Sequence, residues 1–305
     1  LATMIPEAGG FYRYTTVALG RKMGFMTGWL YFIAYTFAVT TVLNAFRESL
    51  LAKLPGNVIL ESPAFFLVIL ISLVTMLNLI RLSLVGSVQT YLTFVKMIPV
   101  IFVFLFIPFF FSNGFSITPD EWKAVFTPGA LTGALFGLMG SEFAVNMSDK
   151  IEGGAKQISK IVFTAFGIVA MIHAGFHYGL LQIMGTPGFL ESKAIGFPIF
   201  IGTKFPFLAV PIAAIVTAAF YLTFFNSSNG ILTLISTLLH TLADDDRLHG
   251  SKTLTQLNSE GRPWASILVS SFLMFLFGVM IPNTALLSSV CAVGIIATQF
   301  LVVLS

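Results

Sequence analysis

Leu135-Phe136-Gly137-Leu138-Met139-Gly140-Ser141-Glu142 lies in the middle of an apolar run, 129–147, that is long enough to cross a bilayer. Flexible residues and a carboxylate stand here where hydrocarbon-facing side chains belong. Glycine supports a helix poorly, and an ionised group at bilayer depth costs about 3 kcal/mol or more unless it faces a cavity or a partner. The stretch therefore reads as a broken helix that lines a solute site.

Working outward, the composition places the whole chain in the same class. Hydrophobic residues make up 56% and charged residues 10% of the 305 positions, with a mean hydropathy of +0.93; soluble domains carry roughly 25% charged residues. Windows of about 18 apolar residues predict eight membrane helices: 24–46, 63–80, 88–111, 129–147, 159–184, 207–225, 263–282 and 284–305. The sixth continues in helix-compatible sequence to Ala243 and ends at the acidic turn Asp244-Asp245-Asp246. No ten-residue alternation of the barrel type is present, so the expected fold is an all-α integral membrane bundle. No linker divides it, and one domain over 1–305 is expected. The chain opens without an initiating Met and stops at Ser305 within an apolar run, which predicts a piece of a longer protein, cut at both ends.

Placing both ends in the cytoplasm puts ten basic residues inside (Arg13, Arg21, Lys22, Arg81, Lys150, Lys156, Lys160, Arg247, Lys252 and Arg262) and five outside (Arg47, Lys53, Lys123, Lys193 and Lys204). Lys96 falls within a span. The net charge of +3 thus follows from topology and gives no reason to invoke nucleic acid. The single cysteine, Cys291, can form neither an internal disulfide nor a thiolate metal site, and is expected in the core. No metal and no cofactor are expected.

Several residues carry two readings. Gly20, Gly24 and Gly28, and again Gly129, Gly133 and Gly137, recur every four residues and make smooth stripes for close helix packing, or for a helix that must also break. Tyr31 and Tyr35 sit one turn apart, in the core or facing a cavity. Lys96 either snorkels to the cytoplasmic side or acts as a fixed or protonatable cation. Glu142 is either a proton carrier or a hydrogen-bond partner of a freed backbone amide. Asn226, Ser227, Ser228 and Asn229 form a polar block that lines a route, bonds between helices or marks the membrane exit. His173 and His177, at i and i+4, are packing residues or a proton relay. Catalytic signatures such as Gly-x-Ser-x-Gly, a Walker loop or HExxH are absent from the sequence, so an enzyme is not expected.

Pro6-Glu7-Ala8-Gly9-Gly10-Phe11-Tyr12-Arg13-Tyr14, followed by Gly20, Gly24-Phe25 and Gly28-Trp29, resembles the P-x-x-G-G-x-Y-x-Y segment of the amino acid-polyamine-organocation superfamily of secondary transporters. Val95-Lys96-Met97-Ile98-Pro99 resembles its fifth-helix K-x-x-P, and Phe136 to Glu142 its sixth-helix aromatic-x-x-x-G-x-E. Ala243-Asp244-Asp245 and Asn258-x-x-Gly261-x-Pro263 resemble the end of its eighth helix and the loop that follows. Gly153-Gly154 and Ser236-Thr237 depart from the family's Asn-Pro and Ser-Arg.

The resemblance implies that the eight spans are helices three to ten of about twelve, within an inverted five-plus-five repeat that binds substrate at the midplane. It implies a substrate site of Phe136, as an aromatic lid, with Gly137, Met139, Gly140, Ser141 and Tyr31. Glu142 and Lys96 would be its coupling and gating residues, and the polar block of Asn226, Ser227 and Ser228, read from the sequence itself, is expected to join them. The implied function is alternating-access transport of an amino acid or related amine in the plasma or inner membrane, coupled to protons or to a counter-substrate. A channel, and after it a membrane enzyme, are the rival expectations.

Overall fold

The computed structural model describes residues 9–80, 82–110, 123, 126–140, 155–192, 194–246 and 248–305, and these contain helices and no strand. In chain order the helices are α1 (Gly10–Leu19), α2 (Arg21–Lys53), α3 (Val58–Glu61), α4 (Pro63–Leu79), α5 (Leu82–Phe110), α6 (Pro128–Leu138) and α7 (Ala155–Ser192). After a 3-10 turn (Ala194–Gly196) come α8 (Phe197–Lys204), α9 (Pro206–Asp244), α10 (Ser251–Leu254), α11 (Trp264–Met280) and α12 (Thr284–Val303). Helices α2, α5, α7, α9 and α12 are long and apolar enough to cross a membrane. Helices α4 and α11 are apolar over 17 residues, about 25 Å, the lower end of spanning length. The fourth expected span, 129–147, is described only through α6 and the turn after it. The protein is thus an all-α, multispan membrane protein, as its hydropathy predicts.

Local chemistry sets the helix starts. Asn57 Oδ1 accepts from the Ile59 and Leu60 amides at 3.1 and 3.3 Å, Ser62 caps α4 with Pro63 behind it, and Asn283 Oδ1 accepts from Leu286 N at 3.0 Å. Within α2, buried threonines return their hydroxyls to the preceding turn: Thr36 donates to Phe32 O at 2.8 Å and Thr40 to Thr36 O at 2.7 Å. These bonds let a polar side chain sit in an apolar interior without an orphaned donor. A left-handed Gly185, φ 68°, with Pro187 behind it, kinks α7 after its long apolar segment.

The chain divides into two compact units, and all four boundaries fall inside helices. The first comprises Leu1–Ser87, Thr132–Phe166 and Ser227–Ser305. Here α2 packs against α1, α11 and α12, and α4 packs against α11. Phe37 stacks on Phe277 at 4.8 Å, and a Cβ on Gly294 would lie 2.8 Å from that of Ala34, so α12 and α2 touch backbone to backbone. The outer faces stay apolar: Phe65, Val68, Ile69, Leu73 and Met76 on α4, and Val293, Phe300 and Val303 on α12, are exposed. So continuous an apolar surface belongs in lipid.

The second unit comprises Val88–Leu131 and Gly167–Asn226. Its core joins Val103 and Phe110 of α5, Leu180, Ile183 and Met184 of α7, Phe197 and Ile201 of α8, and Ile212 and Val216 of α9.

Candidate functional site

Helix α6 stops at Leu138, and the chain turns through Met139 and Gly140 inside the apolar run 129–147. Gly140 has φ 112°, a conformation that L side chains rarely adopt, which is why glycine is needed where this helix breaks. Phe136, Gly137, Met139 and Gly140 are half-buried. Ser141 and Glu142 lie outside the described residues. Of the second glycine stripe, Gly133 has open space where a Cβ would stand, so it is not a close-packing contact.

Tyr31 sits on α2 in the first unit and is 1% exposed. Its ring meets Phe11 edge-on at 5.4 Å and Tyr35 at 4.7 Å. The helices that pack most closely on α2 are α12, α1 and α11, and α6 is not among them.

Of the expected coupling residues, Asn226 packs on the helix that carries Lys96. Gln89 and Thr93 of α5 face Asn226 of α9: Gln89 Nε2 donates to Asn226 O at 3.3 Å, and Asn226 Nδ2 to Thr93 Oγ1 at 3.4 Å. Lys96, half-buried, follows at i+3 from Thr93 and i+7 from Gln89, on the same face of α5. Asn226 is buried, and its Oδ1 has no hydrogen-bond partner among the described residues. Asn226 thus packs its amide nitrogen against the α5 face that carries Lys96 and keeps its own side-chain acceptor unpaired among the described residues.

Ser228 and Asn229 are fully buried in the first unit, and Ser227 is half-buried. Asn229 enters a polar network absent from the sequence reading. Its Oδ1 accepts from Asn78 Nδ2 at 2.9 Å, and Asn78 Oδ1 accepts from Thr233 Oγ1 at 2.7 Å and from Arg262 Nη2 at 3.3 Å. Arg262 Nε donates to Asn78 O and Asn258 Nδ2 to Leu79 O, both at 2.8 Å, so the two side chains take the last carbonyls of α4. Arg262 is 4% exposed, and burial pushes its guanidinium below its ordinary value. The sequence signal for this network was Asn78, an amide near the end of an otherwise apolar helix.

The first glycine stripe divides by role. Gly20, φ 86°, turns the chain between α1 and α2, whereas Cβ atoms on Gly24 and Gly28 would strike Thr16 and Leu242. Tyr14 of α1 is buried with a hydroxyl that has no partner among the described residues, and burial raises its phenol to about 12. His173 and His177 are exposed on α7 with ring centroids 5.1 Å apart, and Cys291 is fully buried. Among the described residues no three His, Cys, Asp or Glu side chains are grouped to hold a metal.

A family model described as amino acid permease matches residues 1–305. The chain is similar to the glutamate/serine transporter AimA of Bacillus subtilis (strain 168), 29% identical over 202 residues that cover 60% of this chain and 36% of that protein. It is also similar to the serine/threonine exchanger SteT of the same organism, 25% identical over 193 residues, 61% of this chain and 42% of the relative. The methylthioribose transporter of that organism is 21% identical over 266 residues, 76% of this chain and 56% of its own length. The chain therefore spans between about a third and somewhat over half of the curated relatives it matches.

Proposed function

Because this chain belongs to the amino acid permease family, we propose that it forms part of a secondary transporter that moves amino acids or related amines across the plasma or inner membrane by alternating access, with one domain over 1–305 and both ends on the cytoplasmic side. The observation that carries this reading is the end of α6 at Leu138 with a left-handed Gly140 two residues on, within sequence apolar enough to span. A helix that ends at bilayer depth leaves its last carbonyls without intrahelical partners, and such carbonyls take up cationic or ammonium groups where they line a cavity. Phe136 covers the site as an aromatic lid. Gly137, Met139, Gly140 and Ser141 supply backbone and wall, and Tyr31 supplies a further wall.

Coupling uses Glu142 as the titrating carboxylate, with Lys96 as a fixed or protonatable cation. Asn226, packed on the Lys96 face of α5 with its Oδ1 unpaired among the described residues, supports that role, and Ser227 and Ser228 continue the polar route. The relatives, named as a glutamate/serine transporter and a serine/threonine exchanger, support amino acids as cargo and leave both proton coupling and exchange to be tested.

The test is uptake by the full-length parent protein in proteoliposomes. Labelled amino acids, polyamines and methylthioribose would each be offered with and without a pH gradient, and with and without internal substrate. Saturable amino acid uptake driven by the gradient establishes a proton symporter; dependence on internal substrate establishes an exchanger. Folded protein that takes up no amino acid or amine under any condition refutes the reading.

A further inference from the structure

Where α1, α2 and the end of α9 meet, a cavity of about 420 Å³ is lined by Arg13, Thr16, Arg21, Asp245 and Asp246. Its charges are not equivalent. Arg13 Nη1 lies 3.0 Å from Asp245 Oδ2, and the Tyr12 hydroxyl donates to the same oxygen, so this pair is already matched. Arg21 and Asp246 are exposed, and neither side chain has an ion pair or hydrogen bond among the described residues. Thr16 Oγ1 donates to Tyr12 O at 2.8 Å, which leaves its lone pairs as acceptors. The cavity thus presents one unmatched cation, one unmatched anion and a hydroxyl acceptor.

The surface beside it shows what the rest of the molecule would be. Arg21 opens α2, and Phe25 and Trp29 follow at i+4 and i+8 on the same stripe. Their rings stack at 6.2 Å, and Trp29 stacks on Phe32 at 5.4 Å. Trp29 and Met26 are exposed, as is Val17, which follows Arg13 at i+4 on α1. A charged cavity at the end of a membrane-crossing helix therefore continues into an aromatic ladder about 12 Å long.

We propose that this cavity binds the headgroup of a phospholipid carrying a primary ammonium, with phosphate at Arg21, ammonium at Asp246 and Thr16, and acyl chains along Phe25 and Trp29. A phosphatidylethanolamine fits both unmatched charges. A glycerol headgroup can donate its hydroxyls but brings no positive charge to match Asp246, and a choline headgroup has no N–H to donate to a carboxylate. The assignment is independent of what the protein transports.

The test is native mass spectrometry of the full-length protein in detergent, titrated separately with short-chain phosphatidylethanolamine, phosphatidylcholine and phosphatidylglycerol, and with soluble phosphoethanolamine as competitor. Ethanolamine lipid should bind about three- to fivefold tighter than the other two, the worth of one added exposed charged contact. Asp246→Asn should erase that preference, and because Asn tolerates the left-handed φ of 54° found there, the fold is kept. Arg21→Gln should weaken all three lipids by about three- to fivefold, with an unchanged unfolding midpoint. Equal binding of the three lipids, or a preference that survives Asp246→Asn, overturns the proposal. Displacement by soluble phosphoethanolamine at the concentration at which the lipid binds assigns the site to a water-borne zwitterion and likewise overturns it.

Discussion

Asn78 and Asn229 are 151 positions apart in the chain, yet the amide of one donates to the carbonyl of the other at 2.9 Å in a fully buried pair. Asn78 also donates to Val74 O at 2.9 Å, so its amide and carbonyl together engage four partners. Replacing Asn78 by Ala should therefore lower stability by about 1–3 kcal/mol, since Arg262 and Thr233 lose an acceptor in a buried site. Asn229→Ala should also destabilise, and the double variant should cost less than the sum of the two. Unfolding midpoints of the four proteins in one detergent check the coupling; strictly additive losses would show that the two side chains act separately.

Tyr14 sets an alkaline limit on stability. Its phenol is raised to about 12 in the folded protein against an ordinary 10, so the folded chain keeps a proton that the unfolded chain releases. The resulting stabilisation is complete below pH 10 and declines as the pH rises from 10 towards 12. Tyr14→Phe removes this titration and loses no hydrogen bond, because the hydroxyl has no partner among the described residues. The variant should match the parent at pH 8 and exceed it increasingly above pH 10, read as unfolding midpoint against pH.

Gly28 is fixed by space. A Cβ there would lie 2.9 Å from Leu242 Cδ2 and 3.3 Å from Tyr12 Cδ2, so Gly28→Val should push α9 and α1 away from α2 at a cost of about 1–3 kcal/mol. Gly20→Ala meets nothing within 4 Å and should cost about 1–2 kcal/mol from its positive φ alone. Parallel thermal unfolding separates the two: relief of the Gly28→Val defect by Leu242→Ala, with no relief for Gly20→Ala, is the expected pattern.

Transport itself should respond at the end of α6. Phe136→Ala is expected to raise KM or abolish uptake while leaving the unfolding free energy within about 1 kcal/mol of the parent's, because the ring is only half-buried. Glu142→Gln should flatten the pH profile of uptake without loss of folded protein. An unchanged profile would make Glu142 structural, and unchanged kinetics in Phe136→Ala would reject the lid.

What the sequence determined by itself is what depends on local composition and spacing. Apolar run length specified α-helices in a membrane, because backbone polar groups in hydrocarbon must be satisfied within the segment that carries them. Gly140 within such a run marked the helix break, and the Gly24 and Gly28 spacing marked a close helix contact, since glycine signals both conformational freedom and absent side-chain volume. Other relationships belonged to the tertiary structure alone. Asn78 reads as one polar residue in α4, and only folding shows that it joins Asn229, Thr233 and Arg262. Asn226 reads as part of a polar block, and only packing turns it towards Gln89, Thr93 and the Lys96 face of α5. Tyr31 reads from its spacing as a core or a cavity-facing residue, and only the fold brings its ring against those of Phe11 and Tyr35. A hydrogen bond or an ion pair such as Arg13 with Asp245 depends on distance and direction between segments far apart in the chain, and neither quantity is written in the spacing of residues along one helix.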